Sequence, residues 1–171
     1  MRQVIRERRL VADDWVYAGK DEPAGDGTVA HRIALPLPDY LATRTGAAAA
    51  LAAAGVWLAP TDDVATLLPY LKDLRLIAAD FPTTGDGRGY SQARLLRDRH
   101  GYKGELRAIG AVRVDQMYFL ARCGFDVFEL AAGEDVDVAI AQLQRFSVAY
   151  QDSTGALVHP RRRYDAGATS G

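Results

Sequence analysis

Residues 85–97, GDGRGYSQARLLR, set glycines at 85, 87 and 89 and then an arginine, a tyrosine and a serine against the start of a helical pattern. Glycine-rich turns that run into a helix N-terminus can hold a phosphate or a carboxylate on their backbone N–H groups. The dinucleotide fingerprint, however, needs G-x-G-x-x-G directly after a strand. Counted from Gly85 its third glycine position holds Tyr90, and counted from Gly87 it holds Gln92, so it fails in both registers. No GK[ST] occurs, which removes a Walker lysine as well. What remains is an anion or carboxylate site made by the helix start with Arg88 beside it. The competing reading is purely structural: Asp86 or Ser91 caps the helix and the glycines let the chain turn.

Other chemistry is thinner. Arg107 lies inside the apolar run LRAIG, flanked by Leu106 and Ala108. An arginine inside a sheet covered on both faces is costly unless it meets a carboxylate or a ligand. The segment RVDQMYFLARCGF spaces Asp115, Tyr118 and Arg122 along one helical face, with Asp115 in the first turn, where a carboxylate suits the helix dipole. His31, His100 and His159 are scattered without metal-ligand spacing, so no metal is expected. Cys123 is the one cysteine and, before Gly124, reads as a small buried residue; no intrachain disulfide or CxxC pair can form.

The elements that must position these groups come in two styles. Residues 1–35 read as an N-terminal β extension: VIRERRLV, DWVYA, a turn at DEPAGDG, then TVAHRIAL. PLPDYLATRTGAAAALAAAG reads as one or two helices, weakened at Gly46 and stopped by Gly55. From residue 56, short apolar strands at 56–59, 76–81, 106–110 and 127–131 alternate with amphipathic helices. The helix within DDVATLLPYLKDL carries Pro69 and is expected to be kinked or short. Others are expected near 89–100, 113–123 and 135–147. Four successive βα units require a parallel sheet. Their short, even spacing favours a half-barrel of the TIM type over 36–150, with a small doubly wound parallel sheet as the alternative. From 151 the periodicity is lost, and a disordered tail is expected.

One domain is the default at 171 residues and 49% hydrophobic content. A net charge of −1 and a pI near 6.3 argue against a nucleic-acid or membrane-surface binder. No signal-peptide pattern opens the chain, and the apolar stretch 47–59 is too short to span a bilayer, so a cytoplasmic location is expected.

The stretch 81–130 resembles a bacterial family labelled "oxidoreductase probably involved in sulfite reduction". The likeness rests on F-P-x-x-x-D-G-R-G-Y-S-x-A-R-L-L-R, then G-Y-x-G-E-L-R-A, then D-Q and R-C-G-F-D. The family pattern has an aspartate where this chain has Ala111. The resemblance implies a setting beside assimilatory sulfite reductase but supplies no mechanism. It admits a flavin, because barrels hold phosphates with loop backbone and arginine. Together these readings lead to an accessory protein of sulfite reduction, with a ligand or reductase site at the strand carboxyl ends. Asp86, Arg88, Tyr90, Ser91, Arg107, Gln116 and Arg122 would bind there, and Asp115 or Tyr90 would move a proton in an enzymatic version. A homodimer is expected under every reading, and a dimeric structural module is the third, since four strands leave an open sheet edge.

Overall fold

Every residue of the strand Leu76–Phe81 is buried, and both its neighbours run parallel to it. That is the signature of a strand covered on both faces, and the rest of the chain is arranged around it. The computed structural model describes residues 2–21, 32–45 and 55–152. The expected turn at DEPAGDG, the alanine-rich helix past residue 45 and the tail from 153 fall largely outside them. The strands are β1 (Gln3–Arg6), β2 (Arg9–Ala12), β3 (Trp15–Tyr17), β4 (Arg32–Pro36), β5 (Gly55–Leu58), β6 (Leu76–Phe81), β7 (Glu105–Gly110) and β8 (Val127–Phe128). The α-helices are α1 (Leu37–Thr45), α2 (Arg88–Arg94), α3 (Met117–Cys123) and α4 (Val136–Asp152).

All eight strands form one sheet in the order β2-β1-β8-β7-β6-β5-β4-β3. From β3 to β8 the neighbours follow chain order and every pair is parallel. A doubly wound sheet would reverse direction at a switch point, and this one never does. The fold is therefore the half-barrel, and it has six parallel strands rather than four, because β3 and β4 join the same sheet. The apparent single strand VIRERRLV is a hairpin that turns at Glu7 and Arg8, both at positive φ. Two residues of that kind carry no glycine or asparagine signal for the turn.

The sheet is strongly curled. β2 and β3 are its two edges, and flat they would lie about 34 Å apart at ordinary strand spacing. Only Asp13 and Asp14 join them, a link that reaches about 11 Å. Across that closure the Arg2 side chain, just ahead of β1, donates to the Trp15 carbonyl of β3 at 3.1 Å. Helices cover the outer face, where Val56, Leu58, Ile77, Phe81, Leu106 and Met117 belong to the main core. Strand alternation sends Trp15, Tyr17, Ala34, Leu76, Ala78 and Ile109 to the inner face.

Pro69 limits the segment after β5 to a 3-10 helix, Val64–Tyr70, whose start Asp63 caps by accepting from the Ala65 N–H at 2.9 Å. α2 continues into a π-helical turn, Leu95–Arg99, so the expected helix 89–100 is present but changes character halfway. A 3-10 turn, Val114–Gln116, leads into α3, and α4 extends past its expected end to Asp152. β8 is shorter than VFELA suggests. No helix among the described residues is long and apolar enough to cross a membrane.

Candidate functional site

The loop after β6 is held by its own residues. Asp86 accepts from the Arg88 backbone N–H at 3.1 Å and from its guanidinium at 2.9 and 2.6 Å. These bonds lower the Asp86 carboxyl to about 2 and raise Arg88. Arg88 is exposed and already paired, so the two residues form a brace at the start of α2. Gly89 lies on the Phe81 ring: a Cβ there would come within 2.6 Å of it. Tyr90 packs edge-on against Phe81 and Phe119, with ring centroids 5.1 and 4.9 Å away. Its phenol accepts from the Gln116 amide at 3.1 Å. Burial raises Tyr90, and the Gln116 bond opposes this only in part, so at neutral pH the group is a phenol.

Gln116 also donates to the Thr84 carbonyl at 3.2 Å and accepts from the Arg113 N–H at 2.9 Å, which ties the β6 loop to the start of α3. Asp115, Ser91 and Arg122 are exposed, with the Arg122 guanidinium 5.8 Å from the Tyr118 ring centre. The fold thus brings Asp86, Arg88, Tyr90 and Gln116 to one rim and leaves Ser91 and Arg122 on the neighbouring helix surfaces.

Arg107 is elsewhere. It points to the inner face with no exposed side-chain surface. Its Nη1 and Nη2 donate to Asp13 at 2.6 and 3.0 Å, and Nη1 donates to the Tyr17 hydroxyl at 2.8 Å. Nε and Nη2 donate to Glu105 Oε1 at 2.9 and 2.5 Å. All five guanidinium donors are used within the chain, none remaining for a ligand. Burial works against its charge, but the Asp13 bond and the surrounding groups more than offset it and raise the pKa. Burial likewise raises Tyr17.

The ionic network spreads from there along the inner face. Glu105 also meets Arg6 at 2.9 Å. Arg2 bonds Asp21 and lies 3.1 Å from Glu129 Oε1. Burial raises Glu129 against the pull of Arg2 and Arg107, and its Oε2 is buried without a partner. At the carboxyl ends of the strands, Lys20 meets Asp80 at 2.6 Å and lies 4.9 Å from the Trp57 ring centre. Asp80 Oδ1, also buried, has no partner. Neither Lys20 nor Asp80 carries a sequence signal: one sits in a turn and the other closes an apolar strand. Among the described residues no three His, Cys, Asp or Glu side chains come together as metal ligands would.

Residues 55–159 match the model of a family described as bacterial proteins of unknown function, DUF934. The chain belongs to that family. No curated protein matches it. Several residues of the DUF934 chain's R-L-L-R, G-Y-x-G-E-L-R and R-C-G-F-D motifs serve the scaffold. Arg97 donates to the carbonyls of Tyr102, Gly104 and Gly124 at 2.7, 2.9 and 2.9 Å and to Asp126 at 3.1 Å. Asp126 in turn accepts from the Leu106 N–H at 2.9 Å. Ala111, which replaces the aspartate of the resembling pattern, follows β7 and donates its N–H to the Phe81 carbonyl at 2.7 Å.

Proposed function

We propose that this DUF934 chain is an accessory protein of assimilatory sulfite reduction that docks on the reductase through the helices beside the β6 and β7 loops. The setting follows from the resemblance of residues 81–130. The observation that carries the docking reading is on α3, where Tyr118 and Phe119 stand 42% and 47% exposed. Leu95 on the adjoining helix is 40% exposed, and Arg94 and Arg122 on the same helices are exposed too. Aromatic side chains rimmed by arginine are the usual anchors of protein interfaces, and they suit a partner with an acidic rim. Oxyanion capture by Arg88 or Arg107 has less support, because carboxylates already hold both guanidinium groups.

The test is co-purification of the tagged chain with the sulfite reductase of its own bacterium. Phe119→Glu is expected to abolish the complex while thermal stability stays near wild type, since the ring is half exposed. A complex that survives Phe119→Glu, or never forms with the wild-type chain, removes this reading.

A further inference from the structure

Among the described residues, six ion pairs of the inner face join four cations to five carboxylates, leaving one negative charge in excess. Part of the deficit is visible at the carboxyl ends of the strands, where barrel folds place their ligands. Asp80 is only 6% exposed, yet Oδ1 has no donor. A buried carboxylate oxygen left without a donor is costly, so the site is one hydrogen bond short.

Lys20 does not close that gap. Its ammonium is a compact donor that serves Oδ2 at 2.6 Å and rests on the Trp57 ring. A planar, forked cation would serve both oxygens of Asp80 at once and stack on the same indole. The two partners also differ in how firmly they are held. The Lys20 side chain is 31% exposed on a turn, while that of Asp80 is 8% exposed. Gly110, at the end of β7, has φ +92° and lies against Oδ1; a Cβ there would stand 2.7 Å from that oxygen.

We propose that the mouth of the half-barrel is a binding site for a small molecule bearing an amidinium or guanidinium group, which displaces Lys20, bonds both oxygens of Asp80 and lies on Trp57. Lys20 is the internal stand-in that holds the site when the ligand is absent. The site selects a cation, the opposite sign from the anion that the helix start beside Arg88 suggests in the sequence. It is independent of docking through α3.

The test is a titration of the purified chain with benzamidine, benzylamine and benzoate, followed by tryptophan fluorescence and thermal unfolding. Benzamidine is expected to bind saturably and raise the midpoint. Benzylamine, which has no fork, binds about fivefold or more weaker, and benzoate does not bind. Asp80→Asn weakens benzamidine about tenfold or more, and Lys20→Met tightens it because the competing ammonium is gone. Lys20→Met leaves Asp80 in place, so it decides the matter even where Asp80→Asn fails to fold. Absence of saturable benzamidine binding, equal binding of benzoate or benzylamine, or weaker binding to Lys20→Met overturns the proposal.

Discussion

Arg107 is the residue whose chemistry is most constrained. Its position in LRAIG demands a carboxylate or a ligand, and the structure supplies Asp13, from 94 residues earlier in the chain. No spacing rule pairs residues so far apart, which is why the need was legible in the sequence and the partner was not. The same holds for Lys20 and Asp80, which are 60 residues apart. Residues of the loop after β6 gave the opposite result. Asp86 and Arg88 stand out in the sequence because they sit in a glycine-rich turn, and they are bonded to each other. A charged residue removed from a buried network leaves its partners uncompensated, so Arg107→Ala is expected to lower stability by about 3–5 kcal/mol. Urea unfolding checks this, with Arg88→Ala as the contrast: its exposed pairing with Asp86 should leave the midpoint close to wild type. Equal losses in the two variants would mean that the inner network contributes no more than a surface pair.

At the scale of elements, the glycine-containing motifs are records of close approach. Gly89 starts α2 directly against Phe81, and Gly124 ends α3 in the left-handed region at φ +104°. A Cβ on Gly124 would meet Arg97 Cγ at 2.4 Å. Arg97 reaches Gly124, Gly104 and Tyr102 together, so a shift of its side chain loosens the starts of β7 and β8 along with the end of α3. A glycine-rich string looks the same in sequence whether it cradles a ligand or packs on a ring. Only the position of the Phe81 ring separates the two here. Gly89→Ala is expected to cost about 1–3 kcal/mol through overpacking against that ring. Gly85→Ala is expected to cost little, since nothing lies within 4 Å of its added Cβ. Thermal unfolding of the two variants side by side measures the difference, and a silent Gly89→Ala would show that Phe81 yields freely.

At the scale of the molecule, the four βα units from residue 56 were readable from their alternation of short apolar runs and amphipathic segments. The strands in DWVYA and TVAHRIAL were readable too, but their place in the parallel sheet was not, because β3 is three residues long and its pairing with β4 is non-local. The N-terminal residues do more than extend the sheet: they bring its two edges together. Asp21 sits on that seam, accepting from the Tyr17 N–H at 2.6 Å at the end of β3 and from Arg2 just ahead of β1. Burial alone would raise its carboxyl, but the Arg2 bond, the Tyr17 bond and the nearby cations together lower it below 3.8. A carboxyl lowered on folding adds stability that is fully present above its unfolded pKa and is lost as pH falls through the folded value. The seam should therefore weaken below about pH 4. Glu129 has the opposite sign: raised above 4.5, it adds most below that value and progressively less as pH rises through its folded pKa. Urea midpoints measured from pH 6 down to about pH 2 are expected to fall on the acid side for the wild-type chain. Asp21→Asn should start lower at pH 6 and fall less steeply, because the group that titrates at the seam is gone. Parallel acid slopes for the two proteins would locate the sensitivity elsewhere and leave Asp21 as a neutral contact between the edges.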